Sequence, residues 1–60
     1  MTNAQWSKIM DRLHKYREVT MPDGNILVLW DNGDVSLLDG QDSHCIICAN
    51  TADRIKGMYV

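Results

Sequence analysis

"ILVLWDNGDVSLL", residues 26–38, decides the fold, because two apolar runs meet there at Asn32-Gly33. Asn-Gly is the strongest short hairpin signal, since a two-residue turn of type I′ needs positive φ at both central positions. Read as such a turn, it sets Trp30 opposite Val35, Leu29 opposite Ser36 and Val28 opposite Leu37. One sheet face then carries Ile26, Val28, Trp30, Val35 and Leu37, the predicted seat of a helix. The other carries Leu27, Leu29 and Leu38, joined by Val19 and Met21 from the preceding strand. A sheet apolar on both sides needs cover on both, and one helix supplies only one of them.

Working outward, "MPDG" at residues 21–24 reads as a type I turn, with proline presetting the first central angle and Gly24 taking a left-handed bulge position. Pro22 also pushes Met21 out of the helical region, so the segment before it ends in a strand. Further upstream, Trp6, Ile9, Met10, Leu13 and Tyr16 recur at helical spacing and predict an amphipathic helix over roughly residues 3–17, capped by Thr2 or Asn3. Lys8, Arg12 and Lys15 fall on its opposite side.

Downstream, "SHCIICA" at residues 43–49 reads as a fourth strand and "NTADRIKG" at 50–57 as a short helix, with Asn50 or Thr51 as cap and Gly57 as stop. A single helix over 43–56 is the alternative, because Cys48, Ala52, Ile55 and Tyr59 also fit helical spacing. The expected fold class is α+β. An N-terminal amphipathic helix packs on a small antiparallel sheet, a hairpin or meander of three to four strands, and a short C-terminal helix follows. With 60 residues the chain forms one small domain. A chain of that length buries only about 60% of its unfolded surface, which makes its stability marginal.

Charge is unevenly distributed. Residues 1–18 carry a net charge of +2, residues 19–53 contain six aspartates and no lysine or arginine, and Arg54 and Lys56 follow. The longest apolar run, "ILVLW", is too short to cross a membrane, and the amphipathic amino terminus lacks the apolar run of a signal peptide, so a cytoplasmic protein is expected.

His44, Cys45 and Cys48 invite a metal reading, with His14 as a fourth ligand. Zinc is held by four tetrahedral ligands in two closely spaced pairs, and here the second pair is missing. Ile46 and Ile47 favour an extended chain, which would send Cys45 and Cys48 to opposite faces of a strand. Neither metal nor other cofactor is expected, and a small zinc-stabilised domain stands as an alternative. The Cys-x-x-Cys spacing also matches a redox motif, but without the helix N-terminus that activates the thiol. Hydrolytic chemistry would draw on Ser36, Ser43 and the histidines, yet a domain of this size offers little room for a pocket, and no enzyme is expected.

The apolar excess remains. It points to a small non-enzymatic protein-binding module, a regulator or inhibitor that occludes or bridges a protein partner, and that forms a homodimer. The expected partner-binding residues are Val19, Met21, Leu27, Leu29, Leu38, Met58 and Tyr59. A nucleic-acid-binding regulator using Lys8, Arg12, Lys15 and Arg17 is the competing expectation, disfavoured by the net charge of −2.

Overall fold

A computed structural model describes residues 1–60. Helix α1 (Asn3–Tyr16) leads into β1 (Glu18–Thr20), β2 (Ile26–Leu29), β3 (Val35–Leu38) and β4 (Cys45–Asn50), and α2 (Ala52–Tyr59) closes the chain. The strands form one antiparallel meander in the order β1-β2-β3-β4. The α+β expectation holds, and residues 43–56 are strand then helix.

Helix α1 begins with a capping box. The Gln5 amide donates to Thr2 Oγ1 at 3.1 Å, and the Thr2 amide donates to Gln5 Oε1 at 2.8 Å, which satisfies two otherwise unpaired donors. The helix ends at Arg17, whose left-handed backbone (φ 69°) lets its amide reach the Leu13 carbonyl while its own carbonyl accepts from Leu29. This turns the chain straight into the sheet. Of the apolar stripe, Trp6 and Leu13 are buried, Ile9 and Met10 half-buried, and Tyr16 exposed.

The register of the central hairpin differs from the sequence expectation by one residue. Leu29 pairs with Val35, Val28 with Ser36, Leu27 with Leu37 and Ile26 with Leu38. The loop holds three residues, not two. The Gly33 amide donates to the Trp30 carbonyl at 3.0 Å, the Trp30 amide donates to the Asp34 carbonyl at 2.8 Å, and of the loop residues only Gly33 has positive φ (91°). This is a type I turn closed by a left-handed glycine bulge. Asn32 explains the choice. Its Oδ1 accepts from the Asp34 amide at 3.0 Å, a local turn that satisfies the side chain without a left-handed backbone. The first hairpin has the same geometry, with the Gly24 amide on the Met21 carbonyl, the Met21 amide on the Asn25 carbonyl and Gly24 at φ 90°, as "MPDG" predicts.

A one-residue slip moves a strand's side chains to the other face. The helix-facing side therefore carries Val19, Met21, Leu27, Leu29, Val35, Leu37 and Ile47, and Ile26, Val28 and Trp30 lie on the reverse. Helix α2 docks on the same side as α1. Its Ile55 is fully buried with Leu13, Leu27 and Leu37, and the Tyr59 ring stacks on Trp6 with centroids 6.2 Å apart. Tyr59 Oη also donates to Asp23 Oδ2 at 2.8 Å, tying the end of the chain to the first turn. Gly57 does not stop this helix, which runs on to Tyr59. Both helices thus cover one face of the sheet and leave the other open.

Candidate functional site

The open face is built by β2 and β3, which present Ile26, Val28, Trp30, Ser36 and Leu38, and by β4, which adds Cys45 and Cys48. Ile26, Val28 and Leu38 are half-buried, and Trp30 is 48% exposed. The indole is fixed in place: its Nε1–H donates to Ser36 Oγ at 2.7 Å. Ser36 Oγ also accepts from the Ala49 amide at 2.9 Å, so this buried hydroxyl locks Trp30 to β4 through one atom. Trp30, Asp31, Asn32, Asp34, Ser36 and the two cysteines border an open cleft of about 540 Å³.

Cys45 and Cys48 lie on the same face and are joined as a disulfide, with Cα atoms 5.6 Å apart. The expectation that they diverge fails because β4 is not a regular strand. Cys45 pairs with Leu38, Ile47 with Leu37 and Asn50 with Val35, so β4 gains an extra residue in each interval. The first extra residue, Ile46, resets the alternation so that Cys48 returns to the side of Cys45. Ala49, in the second interval, has φ 41°.

The partner-binding residues expected from sequence separate. Val19, Met21 and Leu27 are 7%, 2% and 0% exposed and lie in the core under the helices. Leu29 packs against the same core, and Tyr59 is spent on Trp6 and Asp23. Leu38 stays on the open face, whereas exposed Met58 and half-buried Tyr59 together border a different cleft with Met1 and Ile9. Ile26, Val28 and Trp30 lie on the open face, whereas the two-residue turn expected from sequence places them under the helix. The signal was present: Pro-Asp-Gly and Asp-Asn-Gly are both three-residue loops ending in glycine, and reading them alike gives the observed register.

The metal ligands weighed from sequence do not converge. His14 donates from Nδ1 to the Met10 carbonyl on α1, which packs on the far side of the sheet from the cysteines. The His44 ring turns to Asp42, donating from Nδ1 to Oδ1 at 2.7 Å. Asp39, Asp42 and His44 do bring ligand atoms within 4.8 Å of one another on the β3–β4 turn. Both carboxylates already accept local amides there, Asp39 from Gln41 and Asp42 from His44, as aspartates do in turns.

The Asp42–His44 pair predicts a measurable titration. Hydrogen bonds from the His44 backbone and ring hold the Asp42 carboxyl below its ordinary value. Hydrogen bonding and then charge from Asp42 raise the His44 imidazole. The Asp42 contribution to stability is present above the ordinary carboxylate range and fades as pH falls through the lowered value. The His44 contribution is full below the ordinary imidazole value and fades as pH rises through the raised one. Both groups are fully solvated, so the energetic effect is small. NMR titration is expected to find His44 above the ordinary imidazole range in the native chain and back within it in Asp42→Asn.

Lys8, Arg12, Lys15 and Arg17 are all exposed and none takes part in an ion pair; Lys15 instead sits 5.2 Å from the Tyr16 ring centroid. No helix of the chain is long and apolar enough to cross a membrane. No protein-family model, curated protein or solved structure matches this chain.

Proposed function

We propose that this chain is a non-enzymatic protein-binding domain, a small regulator or inhibitor that occludes or bridges a partner through the open face of its sheet. The observation that carries the reading is the placement of both helices on one side, which leaves Ile26, Val28, Leu38 and a half-exposed tryptophan facing outward. Tryptophan is among the residues that dominate binding energy at interfaces. Its hydrogen bond to Ser36 supports the reading further, because an indole held in place before binding loses little freedom on contact.

Charge favours one kind of partner. Asp31 and Asp34 border the cleft, and no lysine or arginine occurs between residues 19 and 53. An apolar patch rimmed by carboxylates suits a partner whose matching surface is apolar with a basic rim. The homodimer expected from sequence would place a second copy of this chain on the same face.

Affinity capture from the native cell, run with the wild-type chain, Val28→Asp, Trp30→Ala and Lys8→Glu/Lys15→Glu, tests the reading. The captured protein is expected to be lost with Val28→Asp and weakened about 30-fold or more with Trp30→Ala, the scale of an interface hot spot. The helix variant is expected to bind as the wild type does. Capture that survives Val28→Asp but fails in the helix variant, with a steep dependence on salt, would overturn this reading in favour of the basic face and nucleic acid. Light scattering of the pure chain reads self-association: a dimer broken by Val28→Asp would make a second copy the occupant of this face.

A further inference from the structure

We infer that Cys45 and Cys48 are a reversible thiol–disulfide site that exchanges with a low-molecular-weight disulfide of the glutathione class. This inference stands apart from the docking reading, because it concerns the chemistry of two sulfurs and not the occupant of the sheet.

Three observations carry it. The pair is assembled at a cost to the strand. Residues three apart on a regular strand point to opposite faces, and here β4 is irregular between each pair of its partners on β3, with Ala49 drawn into positive φ (41°), a region that β-carbon-bearing residues avoid. The pair is also reachable. Cys48 is exposed, Cys45 is half-buried, and both line the open cleft beside Trp30. Lastly, a disulfide across residues three apart closes so short a loop that it removes little freedom from the unfolded chain, and β4 is already held by its ladder to β3. A cross-link that contributes little to folding and lies open to solvent has the character of a reactive bond rather than a structural one.

The surroundings set its direction. Asp31 and Asp34 border the same cleft, and no lysine or arginine is among the residues that line it. Strongly oxidising dithiols owe that property to a stabilised reduced form, and carboxylates supply the opposite. The couple is therefore no strong oxidant of other thiols: it takes oxidation from the small disulfide and returns to the dithiol when a reductant is supplied.

The exposed Cys48 thiolate attacks one sulfur of the small disulfide, forming a mixed disulfide and releasing one thiolate. Cys45, losing its proton to solvent, then attacks Cys48 Sγ, closing the Cys45–Cys48 bond and releasing the second thiolate. The released thiolates take up the two protons. The pair is oxidised by two electrons and the small disulfide is reduced to two thiols.

The test uses the wild-type chain, reduced and then incubated with excess oxidised glutathione under native conditions, with intact-mass readout. The expected product has lost two hydrogens, about 2 Da, and retains no glutathione. Dithiothreitol restores the starting mass, and the emission of Trp30 in a Trp6→Phe background changes in step. Cys45→Ser is expected to trap one glutathione as a stable mixed disulfide. Cys48→Ser is expected to react at least tenfold more slowly, since its remaining thiol is half-buried. A wild-type chain that keeps both thiols free, or that collects two glutathiones without closing, overturns the proposal. So does a metal ion held by both thiolates that blocks closure in native mass spectrometry.

Discussion

Leu27→Ala is expected to cost this domain a large share of its stability, while Val28→Ala beside it is expected to leave the fold nearly unchanged. Leu27 is completely buried, pairs with Leu37 across the hairpin and packs in the cluster with Leu13 and Ile55. Truncating such a leucine removes its transfer energy and leaves a cavity, together about 2–5 kcal/mol. A chain of 60 residues has a total stability on the order of 3–9 kcal/mol at the usual stability per residue. The urea midpoint of Leu27→Ala should therefore fall by roughly half or more, with the slope unchanged. Val28 is half-buried on the open face opposite Ser36, where a β-branched residue contributes about 1 kcal/mol or less. The contrast separates the two possible hairpins. A two-residue turn would bury Val28 and expose Leu27, so the order of the two costs would reverse. Equal or reversed midpoints would restore that register and remove the open face on which the proposed function depends.

The elements were legible because each has a local cause: the Thr2 capping box, the stripe through Trp6 and Leu13, and the turns at Gly24 and Gly33. The difference of one residue at Asn32-Gly33 is legible only by analogy with Pro22-Asp23-Gly24, not from the Asn-Gly pair itself. Asn-Gly fits both the two-residue turn and the three-residue loop, and the choice rests on whether the Asn32 side chain accepts from the Asp34 amide. The three-residue loop turns Leu27, Leu29, Val35 and Leu37 toward the helices and leaves Ile26, Val28 and Trp30 on the reverse. Periodicity cannot arbitrate, since Ile26 to Trp30 is apolar at every position. The cysteine pair was hidden for a related reason. Strand alternation assumes one residue per partner, and the irregularities of β4 against β3 break that rule without a glycine or proline to announce it. Ala49 carries the positive φ where a glycine would have been the clue.

The second large effect is expected at Gly40. This residue lies in the β3–β4 turn against the β1–β2 turn, and a β-carbon built on it would overlap the Gly24 carbonyl. The obstacle is backbone, so no side chain can swing aside. Gly24 is itself fixed, because its amide closes the turn on the Met21 carbonyl while Met21 and Asn25 pair behind it. Relief requires the tips of two hairpins to part. Tyr59 Oη donates to Asp23 in the same turn, so separation would also pull on the anchor of α2. Gly40→Ala should cost about 3 kcal/mol, the upper part of the range for a substitution that forces the backbone to shift. Gly57→Ala supplies the opposite sign within the same chain. Gly57 lies inside α2 with no neighbour within 4 Å of a built β-carbon and without positive φ, so alanine there should stabilise the helix by about 0.4–1 kcal/mol. Thermal or urea unfolding of the two variants reads both effects against one baseline. If Gly40→Ala gained stability as Gly57→Ala does, the two hairpin tips would not touch. The meander would then be free to flatten, and the open face would lose the fixed shape that a docking surface requires.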